Sequence, residues 1–414
     1  MKNKVLVGSL AVIISALLWS LDGTFLRPHL FSLPSPFVVF LEHSLGLIIL
    51  IPFLLIYKSE LKNINKKTYL AIFWVALFGG ALGTTFMTKA LFLTGFKDIS
   101  VVILLQKFQP IFAIGLAAIF LRERFPRVVY LYSFIAIAAG YFVTFSNPWT
   151  IANLKTVSAL TALFSLLAAF SWGSSTTFGK YSLKNIPFGL LTALRFLFTV
   201  LIMVAPVLYF YSTKFSSISN LQWSTLITIV FTSGVAAMYL YYFGLTKITA
   251  SLATMCELAW PVSAIFFDYF LNHNILAPTQ LLASLILILC VYKITTLNQS
   301  HTIIGKVKNG LNFGNKLGAS TANLEVVLAK KMSKGLYSSS VEINKEIFNG
   351  LLYYGYNSVS KTDCLELHIF NFSQMIYDKE IKIITKEYLR PQKKFKDLED
   401  LRIQIQKDLK YSNT

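Results

Sequence analysis

The sequence predicts an all-α polytopic membrane domain of ten transmembrane helices, followed by a small all-β domain that ends in a helix. Three observations predict these two classes. The 414 residues are 55% hydrophobic and only 14% charged, whereas a typical soluble domain is roughly 25% charged. Seven acidic residues lie in residues 1–298 and twelve lie in residues 299–414. At the same boundary, long apolar runs give way to short alternating ones, so we predict domains 1–298 and 299–414.

Ten apolar segments in the first domain are long enough, or nearly so, to cross a bilayer. A hydrocarbon core about 30 Å thick needs roughly 20 apolar residues per helix. The predicted spans lie near residues 5–25, 36–57, 69–92, 99–120, 128–146, 157–179, 187–211, 221–244, 251–271 and 278–297. The first span lacks a small-residue cleavage site and nine spans follow it, so we interpret it as an uncleaved helix.

Basic residues in the short loops predict the orientation of the spans. With a cytoplasmic N-terminus, twelve Lys and Arg residues lie on the inside face and four on the outside face, as the positive-inside rule requires. Ten spans then return the C-terminus to the cytoplasm. The net charge of +19 therefore largely reports topology, and we expect no nucleic acid as a partner.

The spans repeat at a nearly constant offset. Three pairs of residues carry the repeat: Pro36 with Pro187 at 151, Pro110 with Pro261 at 151, and Trp19 with Trp172 at 153. The repeats cover about 5–146 and 157–297, and because five spans is an odd number, the halves must be inverted in the bilayer. Inverted repeats with Pro-interrupted helices are typical of transporters whose substrate site lies near the midplane. Ordinary self-similarity of apolar segments is the alternative.

The stretch from Ser100 to Gly140 has a Gln-Pro within a helix, then Leu-Arg-Glu-Arg at residues 121–124, then a further helix. On this pattern, residues 5–297 resemble the drug/metabolite transporter superfamily, the ten-helix EamA-like type. The second repeat departs from the pattern, because Asn274 stands where the first has Glu123. The resemblance implies the fold and a bacterial cytoplasmic membrane, and leaves the substrate open.

Polar and aromatic side chains inside the spans are candidates for a transport cavity. A charge inside a span costs about 2.5–3.5 kcal/mol on insertion scales, so it usually faces a cavity or a partner. The predicted cavity residues are Trp19, Glu42, Gln106, Lys107, Trp172, Arg195, Tyr239, Glu257 and Trp260. For each aromatic member, packing or interfacial anchoring is the alternative role.

The positions of these residues in the two repeats predict which side chains are equivalent and which pair with each other. Gln106 and Glu257 are equivalent, because their numbers differ by 151. Glu42 and Arg195 lie at similar depths in spans two and seven, so we expect them to pair across the repeat axis. Asp22 lies near a span end, and we expect it to reach the membrane interface.

Residues 299–414 alternate apolar and polar residues in short runs separated by Gly and Asn. Such runs predict a small antiparallel barrel or sandwich. Leu398, Leu401, Ile405 and Leu409 recur at three- and four-residue spacing, which predicts an amphipathic helix packed on the sheet.

Glycines cluster at the start of this domain, before a Thr-Ala-Asn sequence. Successive backbone N–H groups in such loops can bind a phosphate, and hydroxyl and amide oxygens suit Mg²⁺. The candidate nucleotide-binding residues are Gly305, Gly310, Gly314, Gly318, Thr321 and Asn323. No Walker-type loop is present in the sequence, and ordinary Gly-rich β-turns are the alternative.

An ordered set of motifs extends this pattern over about 110 residues. The matched residues are Gly305, Val307, Gly310, Gly314, Leu317, Gly318, Thr321, Ala322, Asn323, Gly335, Leu336, Tyr337, Glu366, His368, Phe372, Tyr377, Arg390, Phe395, Leu398, Gln404, Ile405 and Asp408. On these, residues 302–411 resemble riboflavin kinase. Two family prolines are replaced, since Ala319-Ser320 stands for Phe-Pro and Ser358 for the later proline.

The resemblance implies a six-stranded barrel with a C-terminal helix and transfer of the ATP γ-phosphate to riboflavin, giving FMN. It implies Glu366 as the catalytic base, and Thr321 and Asn323 as holders of Mg²⁺ or another divalent cation and of the phosphates. It also implies Arg390 and His368 at the flavin; a nucleotide contact is the alternative for Arg390, and a structural role in the barrel is the alternative for His368. Because residues i and i+2 of a strand share a face, we expect Glu366 and His368 on one side.

Together the two domains predict a bifunctional protein that imports riboflavin and traps it as FMN on the cytoplasmic side. The expected partners are riboflavin, ATP and the lipid bilayer, and a homodimer is left open. The alternative is a transporter of another small metabolite, such as an amino acid or an exported drug, with a flavin kinase or flavin-sensing tail.

Overall fold

The computed structural model describes residues 2–95, 99–144, 159–272, 277–297, 301–308, 320–325, 332–344, 346–357, 362–393, 395 and 397–409. These residues form two compact units, one of packed helices and one built on a β-barrel. The two classes predicted for the chain are therefore confirmed. The exact boundary at residues 298 and 299 stays a prediction.

The described residues of the first part of the chain form helices joined by short turns and loops. Its α-helices are α1 (Lys2–Leu21), α2 (Ser35–Ile56), α3 (Lys58–Leu61), α4 (Lys66–Trp74), α5 (Gly83–Leu93), α6 (Ile99–Gln106), α7 (Gln109–Leu116), α8 (Arg127–Thr144), α9 (Ala159–Ser182), α10 (Phe188–Tyr211), α11 (Asn220–Ile229), α12 (Val235–Lys247), α13 (Ala250–Cys256), α14 (Ala259–Asn272) and α15 (Pro278–Leu297). Wider π-helical turns extend or join some of them, at Asp22–Leu26, Val75–Leu82, Ala117–Leu121 and Val230–Gly234. Short 3₁₀ turns follow at Arg27–Leu30 and Ser212–Ser217.

Seven of the ten predicted spans are long and apolar enough to cross a membrane. These are Lys4–Leu30, Ser35–Ile56, Lys66–Leu93, Ala159–Ser182, Phe188–Ser217, Asn220–Lys247 and Pro278–Leu297. The other three predicted spans are also helical in their described residues, but they are shorter or broken. For those three, a complete crossing stays a prediction.

Spans four and nine break at equivalent points. Helix α6 ends at Gln106 and α7 begins at Gln109, while α13 ends at Cys256 and α14 begins at Ala259. A proline has no backbone N–H, and its ring clashes with the carbonyl four residues earlier. For Pro110 that carbonyl belongs to Gln106, so the break falls where the sequence requires it. Pro261 has the same relation to Glu257.

The two repeats also make the same contact with each other. The indole Nε1 of Trp19 donates to the Ser233 carbonyl at 3.0 Å, and that of Trp172 donates to the Gly79 carbonyl at 3.2 Å. Both carbonyls lie in π-helical turns, where the altered hydrogen-bond register leaves room for a side-chain donor. The matching contacts support the internal repeat, because each tryptophan reaches into the other half.

Helices α2 and α10, which are equivalent in the two repeats, pack face to face in the apolar core. A Cβ atom added at Gly46 of α2 would lie 2.4 Å from Phe196 of α10. Small residues at helix contacts let backbones approach closely in membranes. Gly46 therefore permits the close approach that this pair of helices makes.

The second unit is a closed barrel of six antiparallel strands. The strands are β1 (Thr302–Lys308), β2 (Ala322–Glu325), β3 (Gly335–Ile343), β4 (Glu346–Asn357), β5 (Thr362–Ile369) and β6 (Glu380–Pro391). They pair in the order β1-β2-β5-β4-β3-β6 and close into a barrel. Inward residues such as Val341, Leu352, Leu367 and Ile383 are fully buried and form the core. The six-stranded barrel implied by the resemblance is thus confirmed.

A terminal helix, α16 (Leu398–Leu409), packs on the outer face of this barrel. Its Leu409 contacts an outer cluster that includes Leu351 and Leu389. Next to it, Arg390 of β6 donates from Nε to both carboxylate oxygens of Asp408, at 2.9 and 3.0 Å. Both side chains are buried, with 8% and 7% of their surface exposed. The ion pair therefore fastens the helix to β6.

We expect Asp408→Ala to destabilise the barrel by about 3–5 kcal/mol, because removing one partner leaves a buried charge uncompensated. Hydrogen exchange of β6 and α16 in the full chain would measure the loss. Glu399→Ala is the matched control, since Glu399 makes an exposed pair with Arg402 at 3.9 Å and exposed pairs contribute little. Equal protection in the two variants would contradict the anchoring role.

Candidate functional sites

The helical unit encloses a cavity that gathers most of the side chains predicted for it. Of the nine predicted residues, seven line it among the residues that the structure describes: Trp19, Glu42, Gln106, Trp172, Arg195, Glu257 and Trp260. The space between atoms is about 1200 Å³, solvent at the opening included. Sites for drug-sized ligands are of this order. The broken spans and the π-helical turns both contribute to its walls.

Two of the nine predicted residues lie outside this lining. Tyr239 packs between Phe53 and Phe188, with ring centroids 5.5 and 4.9 Å away. Lys107 is buried behind the cavity wall, with Nζ 5.2 Å from the ring centroid of Trp260. On an apolar helix, residue type does not reveal which face meets the cavity, and this explains both placements.

A hydrogen-bond chain joins the two broken spans at the cavity. Glu257 accepts from Gln109 Nε2 at 2.7 Å and from Tyr241 Oη at 2.9 Å. Gln106 donates in turn to the amide oxygen of Gln109. The equivalent positions 106 and 257 are thus linked through Gln109. Gln109 and Tyr241 were missed from the sequence, although Gln109 directly precedes the conspicuous Pro110.

The predicted pair of Glu42 with Arg195 is wrong. Arg195 donates instead to the Gly79 carbonyl at 2.7 Å and to Tyr242 Oη at 3.1 Å. Gly79 lies in the π-helical turn Val75–Leu82, and the sequence does not reveal a turn of that kind. Arg195 therefore stabilises a distorted span and has no need of a carboxylate.

Glu42 pairs with Arg27, which also binds Asp22. Arg27 Nη2 lies 2.6 Å from Asp22 Oδ2 and 3.1 Å from Glu42 Oε1, and Nη1 donates to Thr88 Oγ1 at 2.9 Å. Asp22 and Arg27 are 6% and 7% exposed. Our expectation that Asp22 reaches the membrane interface is therefore wrong, because Asp22 is buried and lines the cavity. The sequence did contain an indication of this pair, because Asp22 and Arg27 are opposite charges five residues apart at the end of an apolar span.

The chemistry of the lining suits a flat ligand with polar groups at its edges. Trp19, Trp172 and Trp260 supply aromatic surface, and aromatic rings stack on planar groups in offset or edge-on geometry. Trp19 itself lies 5.3 Å from Tyr241, the donor to Glu257. Aromatic walls and fixed polar groups therefore occur side by side.

In the barrel, Glu366 lies among the other predicted residues of its site. It opposes Asn323 of β2 on one side and Tyr353 of β4 on the other. Thr321 is exposed immediately before β2. Residues directly opposite in antiparallel strands share a face, so Asn323 and Glu366 present their side chains together.

His368 and Glu366 share the outer face of β5, as expected, because the intervening Leu365 and Leu367 are buried in the barrel core. The ring Nδ1 of His368 is 2.8 Å from the Ser320 carbonyl, so this histidine holds the segment that leads to Thr321. Its flavin contact stays a prediction.

The other predicted residues of this domain have mixed outcomes. Gly305 is a buried residue of β1 that pairs with Ile381. Gly310, Gly314 and Gly318 lie outside the described residues. Arg390 donates from Nε and Nη2 to the carboxylate of Asp408, and this ion pair anchors α16. A flavin contact by Arg390 stays a prediction.

Burial sets the protonation of the groups around Glu366. It raises the pKa of the Glu366 carboxyl above its ordinary value, and it raises the pKa of the neighbouring Cys364 thiol to about 12. Cys364 Sγ lies 3.6 Å from Glu366 Oε1 and donates to it. A carboxylate with a raised pKa is a better proton acceptor, which suits the role implied for Glu366.

The donors near Glu366 fit a divalent cation that arrives with a nucleotide. Within the described parts of the chain, no three His, Cys, Asp or Glu side chains are grouped to hold a metal. Thr321 and Asn323 supply neutral oxygens. Mg²⁺ typically takes few protein ligands and completes its shell with phosphates and water, so this donor set fits nucleotide-bound Mg²⁺.

We expect Cys364 to react with iodoacetamide at pH 8 at least about a hundredfold more slowly than a free cysteine, because only the thiolate reacts and a free thiol has a pKa near 8.5. Glu366→Gln should accelerate the reaction, since it removes a nearby negative charge. Peptide-level mass spectrometry of the full chain would measure both rates, with Glu387→Gln on exposed β6 surface as control. A free-cysteine rate in the unmutated protein would contradict the buried site.

Both parts of the chain are similar to known protein families. Residues 6–145 and 159–296 match the EamA-like transporter family, and residues 297–414 match the riboflavin kinase family. The chain is 45% identical over 299 residues to the riboflavin transporter ImpX of Fusobacterium nucleatum, which covers 70% of this chain and 98% of that protein.

Two relatives match the C-terminal part. Both are bifunctional riboflavin kinase/FMN adenylyltransferases, from Haemophilus influenzae and Listeria monocytogenes, each 33% identical over 116 and 118 residues. The matches cover 27% of this chain and 38% and 37% of those proteins, so the chain spans less than two-fifths of their length. One crystal structure superposes with a TM-score of 0.52 at 15% identity, over 71% of this chain and 98% of that chain, which shows the fold alone.

Proposed function

The chain belongs to the EamA-like transporter family and carries a riboflavin kinase-family domain from residue 297, and on this premise we propose that it imports riboflavin and phosphorylates it with ATP to FMN. The observation that carries the proposal is the joining, in one chain, of an aromatic cavity within the spans and a half-buried glutamate on the barrel. The identity to a riboflavin transporter over nearly its whole length supports the same cargo.

In the proposed transport step, the ring system of riboflavin stacks on the cavity tryptophans. Glu257, Gln109 and Gln106 supply fixed hydrogen-bonding groups at the breaks of spans four and nine. Both breaks belong to equivalent helices of the two repeats, which is where transporters of this type bind their substrates. The cavity then opens to one side of the membrane at a time.

In the proposed kinase step, Glu366 accepts the proton of the ribityl 5′-hydroxyl. The hydroxyl oxygen forms a bond to the γ-phosphorus of ATP while the bond from that phosphorus to ADP breaks. Thr321 and Asn323 would hold Mg²⁺, which neutralises phosphate charge when it is bound. Phosphoryl transfer depends mainly on positioning and charge neutralisation, so one carboxylate and a set of oxygen donors suffice.

The proposed location is a bacterial cytoplasmic membrane with both termini in the cytoplasm, where ATP is available. FMN carries about two negative charges near neutral pH, and a bilayer core strongly opposes charge. Phosphorylation therefore keeps the vitamin inside. Transport can then run down the riboflavin gradient, with the kinase supplying the energy for net accumulation.

We expect Glu366→Gln to abolish FMN formation and to stop labelled riboflavin from accumulating beyond its external concentration, while initial entry continues. The reason is that a glutamine cannot accept the hydroxyl proton. Uptake into proteoliposomes loaded with ATP and Mg²⁺, with FMN separated by chromatography, would measure both effects. Glu387→Gln should behave as the unmutated protein. Unchanged net accumulation by Glu366→Gln, with its FMN formation lost, would exclude trapping.

We expect Glu257→Gln to lower riboflavin entry at least about tenfold, since an amide cannot accept from both Gln109 and Tyr241 and a hydrogen bond to a charged group contributes about 1.5–3 kcal/mol. Entry into proteoliposomes without ATP would measure this. Tyr239→Phe is the control, because Tyr239 packs between Phe53 and Phe188 outside the cavity. A larger loss in Tyr239→Phe than in Glu257→Gln would contradict the assignment of the cavity.

A further inference from the structure

The ion triad of Asp22, Arg27 and Glu42 is built into the cavity wall. Asp22 lies in the π-helical turn after α1, Arg27 in the 3₁₀ turn that follows, and Glu42 in α2. All three are at least nine-tenths buried and all three line the cavity. Two carboxylates share one guanidinium, so the triad carries one more negative than positive charge when every member is ionised.

Each carboxylate of the triad keeps one oxygen without a hydrogen bond. Within the described part of the chain, Asp22 Oδ1 and Glu42 Oε1 are buried and have no hydrogen-bond partner. Glu42 Oε1 lies 3.1 Å from Arg27 Nη2, but the angles are not those of a hydrogen bond. Buried acceptors are nearly always paired in native proteins, so two such oxygens beside a cavity indicate a ligand that donates to them.

The carboxylates of Asp22 and Glu42 lie close together, because both contact the same nitrogen, Arg27 Nη2, at 2.6 and 3.1 Å. Arg27 is itself committed, since Nη1 donates to Thr88 Oγ1. The triad therefore offers hydrogen-bond acceptors, the unpaired oxygens of Asp22 and Glu42, to a ligand, whereas the N–H donors of Arg27 are largely used within the protein. A matching ligand must present at least two donors a short distance apart.

The hydrogen-bond donors of riboflavin are concentrated in its ribityl chain. Its ring system has one N–H, whereas its ribityl chain has four hydroxyls on neighbouring carbons, and each hydroxyl can donate. At Glu257, by contrast, both carboxylate oxygens already accept, from Gln109 and Tyr241. Among the described residues that line the cavity, Asp22 and Glu42 are the carboxylates that keep an oxygen without a hydrogen-bond donor.

We propose that the triad binds the polyol chain of the transported flavin, with Asp22 Oδ1 and Glu42 Oε1 accepting from its hydroxyls. The inference rests on the proposed function and assigns an orientation to the ligand. The ribityl chain lies at the triad, and the ring system lies against the tryptophans. The substrate class is therefore a flat heterocycle with a polyhydroxyl side chain.

The first test uses the unmutated full chain in proteoliposomes without ATP, so that the kinase is idle. Labelled riboflavin entry is measured against unlabelled riboflavin and against lumiflavin, which has the same ring system with a methyl group in place of the ribityl chain. We expect lumiflavin to compete at least about tenfold more weakly, since it leaves both triad oxygens unpaired. Equal competition would overturn the inference and leave the proposed function standing.

The second test compares ligands across variants. Glu42→Gln should raise the KM for riboflavin roughly tenfold and leave the inhibition constant of lumiflavin within about twofold. The unchanged lumiflavin value also shows that the cavity has kept its shape. Glu60→Gln, outside the cavity, is the matched carboxylate-to-amide control. A parallel rise for both ligands would assign the triad a structural role and overturn the inference.

A third measurement addresses a small cation, which could also satisfy two carboxylate oxygens. Entry is measured with Na⁺ replaced by choline, and we expect no change. A dependence on Na⁺ that Glu42→Gln removes would make the triad a cation site and overturn the inference. If neither riboflavin nor lumiflavin competes for entry in the unmutated protein, the proposed function itself fails, and the inference with it.

Discussion

The structure of the membrane part depends on two prolines that interrupt equivalent helices. Pro110 and Pro261 each remove a backbone donor and crowd the carbonyl four residues earlier. The helices therefore break beside Gln106 and Glu257, and the polar side chains there are joined through Gln109. Broken helices are tolerated at membrane depth where they line a cavity. The prolines therefore account for the breaks at which Gln106, Gln109 and Glu257 reach the cavity.

Buried charged side chains occur in both parts of the chain, and the groups that contact them differ. Arg195 binds the carbonyl of a π-helical turn, and the triad shares one guanidinium between two carboxylates. In the barrel, Arg390 and Asp408 pair to fasten a helix. No ion pair of Glu366 occurs among the residues that the structure describes, and partial burial raises the pKa of its carboxyl. A carboxylate left unpaired by a cation remains available to accept a proton, and this separates it from the structural pairs.

The sequence predicted the helical and strand segments well, but it predicted the ion-pair partners of the buried side chains poorly. The barrel, its terminal helix and most of the cavity residues were predictable because they follow from apolar periodicity, repeat offsets and ordered motifs. The pairing of Glu42 with Arg195 was wrong, because the π-helical turn Val75–Leu82 offers the Gly79 carbonyl to Arg195, and Arg27 pairs with Glu42. Asp22 was assigned to the interface from its position near a span end, whereas the π-helical turn after α1 places it in the cavity wall.

By itself the sequence determined that this chain joins ten apolar segments to a small β domain, that the segments repeat at a nearly constant offset, and which carboxylate the kinase resemblance singles out. These properties depend on periodicity and spacing along the chain. Only the tertiary structure decided that Arg27 holds both Asp22 and Glu42, that Arg195 binds a backbone carbonyl, and that Arg390 is paired with Asp408. The physical reason is that a charged side chain is satisfied by whatever group the packing brings within about 3 Å, and residues 15 to 116 positions apart meet only in the folded protein.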